Sequence, residues 1–208
     1  MLTSLSVTDF LQEIATDSPA PGGGSASALA ASLGAALTSM VCRLTIGKKK
    51  YADVQSEMEK TLKQSEELRV KFNAIIEEDT TAFNKVMAAY ALQKETEEQK
   101  MKRTAEIQEA MKTATLIPLK LMGLCIEAMG LVKIVVEQGN QNSLSDAGVA
   151  ALMLHAGCEG AALNIKINLS SLSDANFVTQ TKTKAEHYRT SLETFTSDVF
   201  ACVNRHLP

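Results

Sequence analysis

The sequence predicts an all-α fold, an antiparallel bundle of five to six long, partly kinked helices, and three observations carry that prediction. Apolar residues recur by threes and fours through most of the 208 residues, the spacing that lines one face of a helix. No stretch combines period-two alternation with the turn residues of a hairpin. Two segments, Ala26–Thr38 and Ala147–Ala162, are rich in Ala, Gly and Ser, which lets helix backbones approach closely while burying little side-chain area each.

The totals fit that reading. A chain that is 45% hydrophobic and 22% charged builds one good-sized core, so one domain over residues 1–208 is expected. The formal net charge of −3 excludes nucleic acid as the main partner, because phosphate binding needs a basic surface. An aromatic content of 4% with no Trp also argues against a stacking platform. Cys42, Cys125, Cys158 and Cys202 are far apart in apolar helical patterns, as buried free thiols are in a reducing cytosol, and no CxxC spacing points to a metal. A cytoplasmic protein is expected, with no signal peptide, since no basic region followed by an apolar stretch opens the chain. Leu116–Val136 is long enough for a membrane span, but Lys120, Glu127 and Lys133 interrupt it, so a central buried helix is expected instead.

Taken in order, the first helix starts at Ser6, whose spacing to Asp9 suits a capping box, and runs to about Thr16 with Phe10, Leu11 and Ile14 inward. Pro19-Ala20-Pro21-Gly22-Gly23-Gly24-Ser25 follows. The prolines hold the chain extended and the glycines open conformations closed to other residues. Ser25 reads as the N-cap of a second helix from about Ala26 to Thr45. Gly22, Gly23, Gly24 and Ser25 fit either a backbone contact to an anionic or carbonyl-bearing ligand at a helix N-terminus, or a tight interhelical turn. Without a following Lys-Ser/Thr it is no phosphate loop.

After Gly47, Lys48-Lys49-Lys50-Tyr51 forms a cationic turn. A long helix then runs from Ala52 or Asp53 to about Leu92. Counted by sevens along its seam, Ser65, Phe72, Asp79 and Val86 fall in line, so Asp79 occupies an inward position. A lone inward carboxylate is costly unless paired, which makes Asp79 the leading acid/base candidate. The alternatives are a lysine or backbone partner across the bundle, or a wet edge.

Thr96 with Gln99 begins the antiparallel return helix, which Pro118 is expected to kink. Gly139-Asn140 stops it, and Gln141-Asn142-Ser143-Leu144-Ser145 connects to a helix beginning at Ser145 or Asp146. On that helix Asn164 and Asn168 share a face with Gly157 and Ala161. Buried amides seek partners, so both fit either the edge of a heteroaromatic ring or a structural role. His155 reads as a core histidine rather than a base. The last helix, from about Asp174 to Asn204, closes the bundle. The two small-residue helices point to self-association.

In this order the glycine loop, Gly47-Lys48-Lys49-Lys50-Tyr51, Glu78-Asp79-Thr80-Thr81-Ala82-Phe83, Gly139-Asn140-Gln141-Asn142-Ser143-Leu144-Ser145-Asp146-Ala147-Gly148 and Leu163-Asn164-Ile165-Lys166-Ile167-Asn168 resemble the cyclodeaminase/cyclohydrolase family. That family comprises the C-terminal domain of formiminotransferase-cyclodeaminase and stand-alone methenyltetrahydrofolate cyclohydrolases or cyclodeaminases. The resemblance spans nearly the whole chain. It implies a homodimeric helical folate enzyme without metal or covalently bound cofactor, its substrate a tetrahydrofolate derivative. The expected reaction is closure of 5-formimino-tetrahydrofolate to 5,10-methenyl-tetrahydrofolate with loss of ammonia. The alternative is hydrolysis of the methenyl compound to 10-formyl-tetrahydrofolate. A non-catalytic helical interaction module is the competing class, and it leaves Asp79 and the glycine loop unexplained.

On those motif positions Asp79 and Asp146 become the catalytic candidates, although Asp146 also suits an N-cap or first-turn acid. Lys48, Lys49 and Lys50 become candidates for the glutamate tail. Asn142, Ser143, Asn164 and Asn168 join the glycine loop and Ser25 as candidates for the pterin or the amide linker.

Overall fold

Four helices form a closed ring in the computed structural model, which describes residues 1–206. They are α2 (Gly23–Thr45), α3 (Gln55–Tyr90), α4 (Glu97–Gln138) and α5 (Leu144–Leu169); each packs on the next and α5 returns to α2. A short α1 (Val7–Ile14) precedes the ring, and α6 (Ala175–His206) lies in the groove between α4 and α5. Short 3-10 turns occupy Leu2–Ser4, Lys49–Val54 and Gln141–Ser143, and the described residues contain no strand.

The expected caps form at two starts. The Ser6 hydroxyl accepts the Asp9 N–H at 3.1 Å, and Thr96 and Gln99 complete a reciprocal capping box at the head of α4. At α2 the expectation fails. The helix begins at Gly23 with Gly22 as its N-cap, which places Ser25 inside the first turn. The reason is a partner from elsewhere: the Asp79 carboxylate accepts the Ser25 N–H, so an acid on α3 does the work a local cap would do.

Close approach of α2 and α5 follows from their small residues. A Cβ on Gly34 would lie 2.8 Å from Leu154 Cγ, and one on Gly157 would lie 2.8 Å from the Ser27 carbonyl. Both α2 and the stretch Gln141–Leu169 are long and apolar enough to span a membrane, yet here they pack against each other in the ring. Around them Phe72, Met58, Met122, Met129 and Leu154 are fully buried.

Pro118 sits inside α4, which runs on as a single helix of 42 residues. A proline gives no N–H to the carbonyl four residues back, here Ala114. That carbonyl accepts the side-chain amide of Asn168 on α5 at 3.1 Å. Three thiols are buried as expected: burial pushes Cys42 up to about 11 and Cys158 up to about 12, and raises Cys125 well above the thiol range. His155 is half-buried against α6, its Nδ1 3.5 Å from the Thr196 hydroxyl.

Candidate active site

A cavity of about 350 Å³ opens where the N-terminus of α2 meets α3, α4 and α5. Gly22, Gly23 and Gly24 form one wall, Asn164 and Asn168 another, and Asp79 stands between them. Asp79 is the only charged side chain among the described lining residues. Beyond it the lining turns apolar through Phe83, Val86, Met87, Tyr90 and Met111. One end of the cavity therefore presents a carboxyl and amides, and the other presents a slot for a flat apolar group.

The glycines make this arrangement possible. A Cβ on Gly24 would collide with the Asp79 carboxyl, so only glycine lets the carboxyl lie against the first turn of α2. There it receives the Ser25 N–H, and the Ser25 hydroxyl lies 2.9 Å from Asp79 Oδ2. Burial pushes the Asp79 carboxyl above the ordinary aspartate range, and the two Ser25 donors pull it only partly back. The alternative of a backbone partner across the bundle is thus realised, and the same carboxyl still faces the cavity.

Both asparagines carry a structural bond as well as facing the cavity. Asn164 donates to the Gly160 carbonyl at 2.8 Å, and Asn168 serves the carbonyl orphaned by Pro118. Neither Oδ1 has a hydrogen-bond partner among the described residues, which leaves two acceptors for a ligand. Ser25 is fully buried and does not line the cavity.

The remaining candidates gather at the opposite end of the chain's long axis. Lys48, Lys49 and Lys50 are exposed, with Lys50 Nζ 5.4 Å from the centre of the Tyr51 ring. The Tyr51 hydroxyl accepts the Gln141 N–H at 3.1 Å, which ties the lysine turn to Asn142 and Ser143. Ser143 is buried as the N-cap residue of α5 without a side-chain cap bond, Asn142 is exposed, and Asp146 sits in the first helical turn. At about 1.5 Å per residue, roughly 27 Å of α5 separates Asp146 from Asn164. Asp146, Asn142, Ser143 and the three lysines therefore do not share the Asp79 cavity of the same chain, because α2 and α5 each run the full length of the ring between them.

Phe83, Met87, Tyr90 and Met111 are lining residues that the sequence did not assign to the site. Their signal was present in part. Phe83, Val86 and Tyr90 follow Asp79 on α3 at helical spacing, so an inward acid implied apolar neighbours on the same wall. No three His, Cys, Asp or Glu side chains among the described residues gather to hold a metal ion.

An all-α ring with a carboxylate-and-amide cavity at one end defines the class, and comparison with known proteins gives the family. Residues 6–187 match the formiminotransferase-cyclodeaminase family, to which the chain belongs. It is 48% identical over 171 residues to a methenyltetrahydrofolate cyclohydrolase of Methylorubrum extorquens, covering 82% of each chain. It is 34% identical over 191 residues to the rat formimidoyltransferase-cyclodeaminase, covering 92% of this chain and 35% of that one. The chain thus spans about a third of the length of this rat relative. The crystal structure of formiminotetrahydrofolate cyclodeaminase from Thermotoga maritima superposes with a TM-score of 0.89 at 30% identity over 98% of both chains.

Proposed function

We propose that this chain is a cytoplasmic methenyltetrahydrofolate cyclohydrolase that adds water to the carbon bridging N5 and N10 of 5,10-methenyl-tetrahydrofolate and opens the ring to 10-formyl-tetrahydrofolate. The observation that carries the reading is Asp79, the one charge among the described residues lining a cavity otherwise made of amides, glycine backbone and apolar walls. The bridging carbon of the substrate is cationic, so a carboxylate there stabilises it electrostatically. As the water oxygen bonds to that carbon, Asp79 accepts the water proton. The tetrahedral adduct then breaks its carbon–N5 bond as its hydroxyl oxygen forms the formyl C=O and releases its own proton to solvent, and Asp79 returns the first proton to N5. A carboxyl raised above the ordinary range is suited to both halves of that exchange. The Methylorubrum relative, similar over most of both chains, favours this reaction.

Ammonia release from 5-formimino-tetrahydrofolate is the second reading, favoured by the Thermotoga neighbour, which matches over nearly the full length. It uses the same cavity: N10 attacks the formimino carbon while its proton passes to the imino nitrogen, and Asp79 in its neutral form gives that nitrogen a second proton as it departs as ammonia. Absorbance of the methenyl chromophore separates the two. Consumption of 5,10-methenyl-tetrahydrofolate above the uncatalysed rate, without ammonia, supports the hydrolase. A rise in absorbance with ammonia from the formimino substrate supports the cyclodeaminase. In either case Asp79→Asn should lower kcat by about 10²- to 10⁴-fold with a much smaller change in KM.

A homodimer belongs to this reading. Leu33 and Leu44 on α2 and Val149, Leu152, Leu163 and Ile167 on α5 are 40–68% exposed, an apolar face on neighbouring helices that a second copy would cover. Among the described residues the cavity has no cationic side chain for the glutamate tail, whereas Lys48, Lys49 and Lys50 lie at the far end of the ring. A partner packed head to tail would bring its lysines, Asn142, Ser143 and Asp146 toward the first chain's Asp79. Sedimentation should give a dimer, and a monomer at all concentrations would reject the arrangement.

A further inference from the structure

We infer that Ser25 is a positioning residue for Asp79 rather than a substrate contact, and that rotation of its one hydroxyl proton satisfies the carboxyl in both its charged and its neutral state. The inference rests on the reading of Asp79 as the proton-transferring group. Ser25 Oγ is fully buried and lies 2.9 Å from Asp79 Oδ2, 3.1 Å from the Ile76 carbonyl and 3.2 Å from Thr80 Oγ1. Because one hydroxyl has one proton, these contacts cannot all be donated at once. They are what two alternating states require.

When Asp79 is ionised, the Ser25 O–H points to Oδ2 and the Ser25 N–H adds a second donor. When Asp79 is protonated on Oδ2, its own O–H donates to Ser25 Oγ, and the Ser25 proton turns to the Ile76 carbonyl. That carbonyl is an acceptor in either state, so the alternative costs no unpaired group. No proton passes through Ser25. Asp79 exchanges its proton with the ligand, and the hydroxyl rotor follows without backbone movement. Gly24, which leaves no room for a Cβ beside the carboxyl, keeps Asp79 within reach of both donors.

Few other charges act on this carboxyl. The first turn of α2 has none. On α3, Glu77 accepts from Thr3, and Glu78 pairs with Lys120 of α4 at 2.9 Å. From α4 the cavity receives Met111 and Ala114, from α5 Asn164, Ile167 and Asn168, and from the turn after α5 Ser171, none of them ionisable. Tyr90 is the only other titratable lining residue among those described. Ser25 is therefore the polar side chain that sets the balance between the two forms of Asp79.

The test is a carbon-13 NMR titration of the aspartate carboxyl carbons, with the Asp79 signal identified by its loss in Asp79→Asn. Ser25→Ala should raise the Asp79 midpoint by about one to two pH units, since a hydrogen bond to a charged group is lost while burial remains. Ser25→Cys, which keeps the size and a weak donor, should raise it less, and it decides the matter if Ser25→Ala does not fold. An unchanged or lowered midpoint in either folded variant overturns the inference. Kinetics give the second readout: the acidic limb of the kcat profile should move up with the midpoint while KM for the folate stays within about threefold. A raised KM with an unmoved midpoint would return Ser25 to the substrate and overturn the inference. A raised midpoint with an unmoved limb supports the positioning role and removes Asp79 as the reacting group, so the two failures are distinguishable.

Discussion

The two ends of the ring use polar residues in opposite ways. At the Asp79 end the polar side chains are committed to fixed partners before any ligand arrives, the carboxyl to Ser25, Asn164 to Gly160 and Asn168 to Ala114, with the two asparagine Oδ1 atoms left open. At the Lys48 end the charges stand exposed, and the ordering falls to the neutral Tyr51, Asn140 and Gln141. Rigid, buried and uncharged but for one acid suits chemistry on a small cationic centre. Exposed and cationic suits the capture of a flexible anion. Proton transfer needs fixed geometry and a shifted pKa, whereas attraction of a charged tail needs neither.

The largest expected effect at the committed end comes from Gly24. Gly24→Ala drives a methyl group into the Asp79 carboxyl, and displacing a catalytic group by about an ångström costs on the order of 10²-fold in kcat. The helix itself should persist, since alanine is the better helix former. Circular dichroism with turnover measurements checks both halves. An active Gly24→Ala enzyme would break the contrast, because it would show that the carboxyl needs no fixed seat. Asp79→Asn should act on stability in the opposite sense. The folded-state carboxyl is raised, so the folded chain binds more protons than the unfolded one between the ordinary aspartate range and that raised value. Stability is then lost as pH rises through this window. The asparagine variant should melt above the wild type at neutral pH, and the gap should close as pH falls below the window.

Next in size is the bond that joins α4 to α5. Asn168→Ala leaves the Ala114 carbonyl with no donor, a cost of about 1–3 kcal/mol for a buried acceptor. Pro118→Ala in the same background restores a backbone N–H four residues on and should recover part of that loss. A double-mutant cycle by urea unfolding measures the coupling. Simple additivity would mean that the carbonyl finds water instead.

These residues also show what was legible beforehand. The helices and their order followed from apolar spacing, and Asp79 stood out by a count of sevens along α3. Both are local periodicities that a sequence displays directly. Ser25 was misread as a cap because its partners, Ile76, Asp79 and Thr80, lie more than fifty residues away, and a local rule cannot see a carboxylate arriving from another helix. Asn168 was left open between ligand and structure for the same reason, its partner being the neighbour of a proline on α4. Which of the ordered motifs share a site in one chain was not legible, because spacing along the chain does not record which end of an antiparallel ring each motif reaches. Only with the helix lengths in hand do Asp79 and Lys48 fall at opposite ends.

The smallest effect belongs to the exposed end and decides most about assembly. Replacing Lys48, Lys49 and Lys50 together by Gln should leave the melting temperature nearly unchanged, because exposed charges contribute little to stability. If a partner's lysines meet the folate tail, KM for polyglutamylated substrate should rise by about three- to tenfold at low salt. The rise should be smaller for monoglutamate and should shrink as added salt screens the wild type, while kcat stays near its original value. The same triple variant in a monomeric background, made by placing Glu at Leu33 and Leu152, separates the sources. If the lysines act only across the dimer, they have no further effect once the copies are apart. A lysine effect that survives dissociation would mean that the tail reaches them within one chain, and the head-to-tail arrangement would be wrong.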